Sequence, residues 1–211
     1  MSAIPSRAIG LFPTPLLHAA GVLEAPLIDA LTARFGGAAA QANGRSDRLS
    51  HTAILSLDGD EQLGRVGVQV APRLEEFGEL LFGERLDWSI KELWFNVLET
   101  GGHQSLHNHA NSLVSGVIYL TPVSASASTV FVKGLGQAGY VFRNAHAGTA
   151  SGPFSADKWV MPAVAPGDLV LFPSYLLHEV PVNAGSQRIS LAFNAVPRRL
   201  NAWGYAIGLS A

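Results

Sequence analysis

Three of the chain's seven histidines fall in one short segment, Gly101-Gly-His-Gln-Ser-Leu-His-Asn-His109. Two of them, His107 and His109, are two residues apart. In an extended chain, side chains at i and i+2 project to the same face, so two imidazoles there can reach one ion. The pair alone is weak evidence for a metal. A later histidine strengthens it: Pro166-Gly-Asp-Leu-Val-Leu-Phe-Pro-Ser-Tyr-Leu-Leu-His178 reads as a turn, a buried strand and a break leading into His178. A third imidazole opening a later strand can close a facial three-nitrogen site inside a β-barrel, and such a site suits iron, zinc, copper or nickel. The chain has no cysteine, which excludes disulfides and thiolate ligands. His103 lies two steps of the alternation before His107 and is expected beside the site at most. His18, His51 and His146 have no partner pattern and read as surface or capping residues.

Ten residues beyond His178 stands Arg188, at the head of Arg188-Ile-Ser-Leu-Ala-Phe-Asn194. Period two puts Arg188, Ser190, Ala192 and Asn194 on one face and Ile189, Leu191 and Phe193 on the other. A polar face of this kind can be a solvated edge strand. It can also be a carboxylate clamp, in which the guanidinium grips through two parallel hydrogen bonds and the serine hydroxyl adds a third.

The elements that must carry these residues change texture along the chain. Residues 1–86 show two helical stripes. The first runs from about Leu23 to Phe35 through Leu27, Ile28, Leu31 and Phe35, and ends at Gly36-Gly37. The second runs from about Pro72 to Phe82 through Leu74, Phe77, Leu80 and Leu81, with the proline in its first turn. Ala38 to Gly64 reads as a long polar connection. From Trp88 onward the pattern is β, with strands expected at Ser89–Leu98, Leu113–Leu120, Thr129–Lys133, Lys158–Ala163, Asp168–Phe172, Leu177–Val182 and Arg188–Val196. Short strands without helices between them argue for a sandwich or barrel. The glycine-rich stretch Gly134 to Gly152 is expected to be a loop at the barrel mouth. The chain is expected to form one domain over 1–211, with the core over 87–200 and the segments of 1–86 packed on it.

Hydrophobic residues make up 48% of the 211 and charged residues 14%, so a sizeable core is available and disorder is excluded. The formal net charge is -2 and lysines and arginines are not clustered, which excludes a nucleic-acid footprint. No apolar run is long enough to cross a membrane. The apolar stretch from Ile9 to Leu17 is broken by Pro13 and Pro15, a poor match to a signal peptide. A cytoplasmic protein is expected, and a homodimer is compatible with the pattern.

The motifs resemble the iron(II)- and 2-oxoglutarate-dependent oxygenase superfamily, and within it a bacterial and phage family of 2-oxoglutarate–iron oxygenases. The resemblance covers nearly the whole chain. It begins at Leu11-Phe-Pro-Thr-Pro15 and continues through Trp94-Phe-Asn96, His107-Asn-His109, Ser112 and Ser115-Gly-Val-Ile-Tyr-Leu120. It closes on Pro166–Ser174, His178-Glu-Val180 and Arg188-Ile-Ser190. It implies a mainly β double-stranded β-helix, a jelly-roll or cupin-like barrel with N-terminal flanking helices. It further implies Fe(II) held by His107, His109 and His178, with 2-oxoglutarate as co-substrate contacted by Arg188, Ser190, Tyr119 and Asn96. Tyr119 reads equally as a half-buried core residue. One position departs from the pattern: the superfamily usually carries Asp or Glu where His109 stands. A carboxylate lowers the net charge on iron, whereas a neutral imidazole leaves the site more positive. Glu179, beside His178, would face the other way on a strand and is not expected to substitute.

Three activities fit these residues. The first is a hydroxylase-type oxygenase acting on a small molecule or peptide. The second is a cupin-like three-histidine enzyme without a co-substrate, although the glutamate that a cupin signature wants is missing at Leu113 and Val114. The third is a binding module that holds a metal such as zinc without turnover.

Overall fold

The computed structural model describes residues 7–37, 41–44, 46–134, 144 and 146–209. In chain order its elements are β1 (Leu17–Ala19), α1 (Ala25–Phe35), β2 (Gln41–Ala42), β3 (Leu49–His51), α2 (Glu61–Phe82), β4 (Trp88–Leu98), β5 (Gln104–His107), β6 (Val114–Tyr119), β7 (Val130–Val132), β8 (Lys158–Val160), β9 (Leu169–Pro173), β10 (Leu177–Val180), β11 (Arg188–Pro197), β12 (Arg199–Ala202) and β13 (Tyr205–Gly208). Seven strands form one antiparallel sheet in the order β1-β9-β6-β11-β4-β3-β2. Four form a second, β5-β10-β7-β8, and β12 and β13 make a separate hairpin. This is the double-stranded β-helix expected from the sequence.

Alternation sorts each central strand between two apolar clusters. Leu93, Phe95 and Val97 of β4, Ile118 of β6, Leu169 and Leu171 of β9, and Leu191 and Phe193 of β11 join the buried faces of α1 and α2. Phe35 of α1 stacks on Phe95 with ring centroids 4.2 Å apart. The opposite faces of β6 and β9 give Tyr119, Val170 and Phe172, which pack with Phe131 of β7 between the two sheets. Gly116 of β6 has no side chain because Phe193 occupies that space: a Cβ there would lie 2.2 Å from the ring. The helices thus back the large sheet from outside and leave its other face to line the interior.

The second helix begins eleven residues before the start expected at Pro72. Asp60 caps it, accepting from the N–H groups of Gln62 and Leu63 at 3.1 Å. Its buried stripe, Leu63, Val66, Val70, Leu74 and Phe77, spans the proline. Pro72 is therefore inside the helix. It is tolerated because it and Val68, whose carbonyl it leaves without a donor, both lie on the solvent face. Leu80, placed in the stripe by spacing, is exposed. The connection expected from Ala38 to Gly64 contains β2, β3 and the first turn of α2. The stretch expected as a mouth loop, Gly134 to Gly152, falls largely outside the described residues at 135–143 and 145. His18 is more than a surface residue: its Nε2 bonds Asp168 at 2.9 Å, fastening β1 to the turn before β9. Among the described residues, no helix is long and apolar enough to cross a membrane.

Candidate metal centre

The register of the small sheet brings two of the histidines together. His178 of β10 lies directly opposite His107 of β5 on one side and Phe131 of β7 on the other, and Phe131 in turn faces Trp159 of β8. Cross-strand partners share a face, so His107, His178, Phe131 and Trp159 form one row. β5 ends at His107. The chain leaves the strand still extended enough to bring His109 round to the same side, where its backbone N–H donates to the Ser174 carbonyl at 3.0 Å. The ring centroids of His107, His109 and His178 are 4.2 to 5.2 Å apart, and one nitrogen from each lies within 4.8 Å of the other two.

Hydrogen bonds fix which nitrogen each ring presents. Nδ1 of His178 lies 2.9 Å from the Leu176 carbonyl, and Nδ1 of His107 lies 2.8 Å from the Ser105 carbonyl. A carbonyl only accepts, so both Nδ1 atoms carry the proton and both Nε2 atoms present a lone pair, the one on His107 lying 3.3 Å from the Gln104 side-chain amide nitrogen, which an ion would displace. Burial, reinforced by the charge of His107, pushes His178 down to about 3, although its bond to the Leu176 carbonyl acts the other way. Burial and then His107 likewise push His109 down to about 4, against an opposing effect of Glu92. Both rings are neutral near pH 7, the form that binds a metal. Phe172 packs edge-on against His178 at 4.8 Å, and Trp94 covers His109 at 5.8 Å.

Arg188 opens β11 on the interior face and is 4% exposed. Its guanidinium lies 5.2 Å from the centre of the Tyr119 ring. Nη2 reaches Thr129 Oγ1 only at 3.5 Å, and Nε, fully buried, has no hydrogen-bond partner among the described residues. Burial lowers its pKa, with Tyr119 partly offsetting the effect. A buried cation so poorly satisfied is expensive unless an anion completes it. Ser190 lies opposite both Asn96 of β4 and Tyr119 of β6. All four residues singled out around the clamp are therefore buried on one interior surface. The Tyr119 hydroxyl is 3.3 Å from Thr129 Oγ1.

Other candidates lie elsewhere. Glu179 bonds Lys158 at 2.7 Å, away from the histidines. His103 is half-buried, with its backbone N–H on the Asp47 carbonyl, and is not in the three-histidine group. A separate groove of about 610 Å³ between α2 and the start of β4, lined by Leu57, Gly67, Trp88 and Arg198 among others, contains none of these residues.

Sequence reasoning gave no site role to Thr129, Phe131, Trp94 or Glu92, although Trp94 stands in the Trp94-Phe-Asn96 motif. The alternation of β4 contains the signal for two of them, since Glu92 and Trp94 lie on the face of Asn96. Thr129 and Phe131 approach only through strand pairing.

The "Putative 2OG-Fe(II) oxygenase" family model matches residues 92–194, which include all three histidines and Arg188. Comparison with curated proteins gives no sequence match. Among solved structures, HygX from Streptomyces hygroscopicus, with nickel and 2-oxoglutarate bound, superposes with a TM-score of 0.62 at 14% identity, over 87% of this chain and 83% of that one. The non-haem α-ketoglutarate-dependent epimerase SnoN from nogalamycin biosynthesis gives 0.63 at 16%, over 88% and 80%. A Pseudomonas putida prolyl-4-hydroxylase gives 0.57 at 20%, over 86% and 92%. At these identities the likeness is one of fold. The match to that family model spans the interior strands and the residues they bring together, and the chain shares the fold of these solved structures.

Proposed function

We propose that this chain is an iron(II)- and 2-oxoglutarate-dependent oxygenase in which His107, His109 and His178 hold the metal and Arg188 receives the far carboxylate of the co-substrate. The observation that carries the reading is Arg188: a buried guanidinium whose Nε has no hydrogen-bond partner among the described residues, on the interior face of the barrel that also gathers three imidazoles. Three nitrogen donors leave an iron ion open positions for a chelating co-substrate and for dioxygen. When bound, iron and 2-oxoglutarate supply oxidative decarboxylation and dioxygen activation.

The chain's own residues contribute orientation and dryness. The carbonyls of Ser105 and Leu176 hold two imidazoles in the tautomer that directs Nε2 inward. Phe131 and Phe172 exclude water beside His178. Arg188 neutralises a dicarboxylate at its distal end, and Ser190 and the Tyr119–Thr129 hydroxyl pair offer further donors. Asn96, opposite Ser190, lies within the same polar patch. The primary substrate is a small molecule or peptide side chain.

Removing one partner of a buried charged pair typically costs about 2–5 kcal/mol. 2-Oxoglutarate is therefore expected to raise the melting temperature of wild-type protein loaded with manganese or iron. Arg188→Ala is expected to keep the metal and lose that shift. Arg188→Lys is expected to retain part of it, because the charge survives without the fork. Metal-loaded wild type that responds to millimolar 2-oxoglutarate neither in melting nor in absorption would sink the oxygenase reading.

A further inference from the structure

A hydrogen-bonded chain crosses the interior between the end of β4 that carries Glu92 and the segment that carries His109. Asn194 Nδ2 donates to Glu92 Oε2 at 2.7 Å. Ser115 Oγ donates to Asn194 Oδ1 at 2.8 Å. Ser174 Oγ lies 2.9 Å from Ser115 Oγ, and Ser112 Oγ donates to Ser174 Oγ at 2.6 Å. The proton order follows from chemistry. A carboxylate accepts, so the Asn194 amide turns its nitrogen to Glu92 and its oxygen to Ser115. An amide oxygen cannot donate, so the only proton of Ser115 goes to it, and Ser174 must donate to Ser115. Every donor in the chain thus points towards Glu92. Ser115, Ser174 and Asn194 are each no more than 4% exposed.

The far end of this chain is the His109 segment. The Ser174 carbonyl accepts the His109 backbone N–H, and the Ser174 N–H donates to the Leu113 carbonyl. Glu92 also lies on the same strand face as Trp94, whose ring covers His109. Lys91 also approaches Glu92, at 3.2 Å from the neighbouring position.

We infer that Glu92 is a positioning residue for the metal centre. On the strand face of Trp94, which packs on His109, it supplies the negative charge that a ligand set of three imidazoles lacks, and through Asn194, Ser115, Ser174 and Ser112 it fixes the segment bearing that histidine. The inference rests on the metal-centre reading above. The position where the superfamily usually carries a metal-binding carboxylate is His109 here, and the Glu92 carboxylate is tied to the segment that bears it. Outer partners of this kind orient a ligand and tune its metal.

The test is a titration of metal-free protein with cobalt(II), followed by the visible absorption of the bound ion, alongside the melting temperature of each variant. Glu92→Gln keeps an acceptor for Asn194 and removes the charge. It is expected to weaken cobalt binding by about 10–100-fold with little change in the melting temperature of the metal-free protein. Glu92→Asp is expected to recover part of the loss. A purely structural role would instead lower the melting temperature and leave affinity alone. Glu92→Gln binding cobalt as tightly as wild type, while His178→Ala binds none, overturns this inference and leaves the metal centre standing. Wild type that binds no cobalt overturns the metal-centre reading and this inference with it.

Discussion

His107 and His178 sit opposite each other across a strand pair, and both lose their Nδ1 proton-bearing side to a backbone carbonyl. Each is thereby committed to one donor atom, and no other residue in the segment is so placed. His103 follows the same alternation in sequence, yet the chain between Gly101-Gly102 and β5 is spent on bonding to the Asp47 and Asn183 carbonyls. Purified His107→Ala and His178→Ala are therefore expected to lose most of their bound metal, and His103→Ala to retain it. Elemental analysis of the three variants checks this, and equal loss in His103→Ala would mean that the ligand set is wrong. The spacing of His107 and His109 was legible because extended backbone repeats every two residues. The partners of Arg188 were not, since Thr129 lies 59 residues away and reaches it only when β7 packs across the barrel.

At the level of elements, α2 shows how burial overrides a local breaker. Proline in a helix interior removes one hydrogen bond and strains the preceding turn. Here the cost is carried by a 22-residue helix whose stripe from Leu63 to Phe77 is buried against the large sheet. The sequence places the helix start at Pro72 because proline suits a first turn. The actual start is set by Asp60, whose side chain accepts two N–H groups. Since Pro72 is on the exposed face, Pro72→Ala is expected to stabilise the protein, with about 3 kcal/mol as the ceiling from helix propensity. Urea denaturation measures the gain, and a loss of stability would show that the proline has a packing role not visible in its exposure. The strands β4, β6 and β11 were readable from alternation because each divides an apolar face from a mixed one. The short β1, β2, β3 and β5 were not, as they lie in stretches with no alternating apolar pattern around them.

For the molecule as a whole, holding His109 and His178 neutral makes stability depend on pH. Their folded values of about 4 and 3 lie below the roughly 6.5 of an unfolded histidine. Between those limits the unfolded chain binds more protons than the folded one, so stability falls as pH falls through that window and is level above it. Metal-free protein is expected to melt at a lower temperature at pH 5 than at pH 7, and His178→Leu to flatten that difference. Metal-loaded protein is expected to release its ion over the same range, because protons compete for the same lone pairs. Melting curves of the metal-free protein that coincide at pH 5 and pH 7 would contradict the burial argument.

The amino-acid sequence alone determined the β character of the chain from Trp88 onward, the two amphipathic stripes before it, the H-x-H pair and the polar face of the Arg188 strand. All of these follow from local periodicity, which needs no partner. Tertiary structure alone decided that the polar face of β11 points inward rather than to solvent, because α1 and α2 cover the opposite face with apolar side chains. It decided which histidine meets which, since the pairing of His107 with His178 spans 71 residues of chain and depends on strand register. It also decided that Glu92 joins the His109 segment through Asn194, Ser115 and Ser174, which come from β11, β6 and the end of β9. Side chains from separate strands acquire a common hydrogen-bonded order only when sheet closure removes the water that would otherwise satisfy each of them.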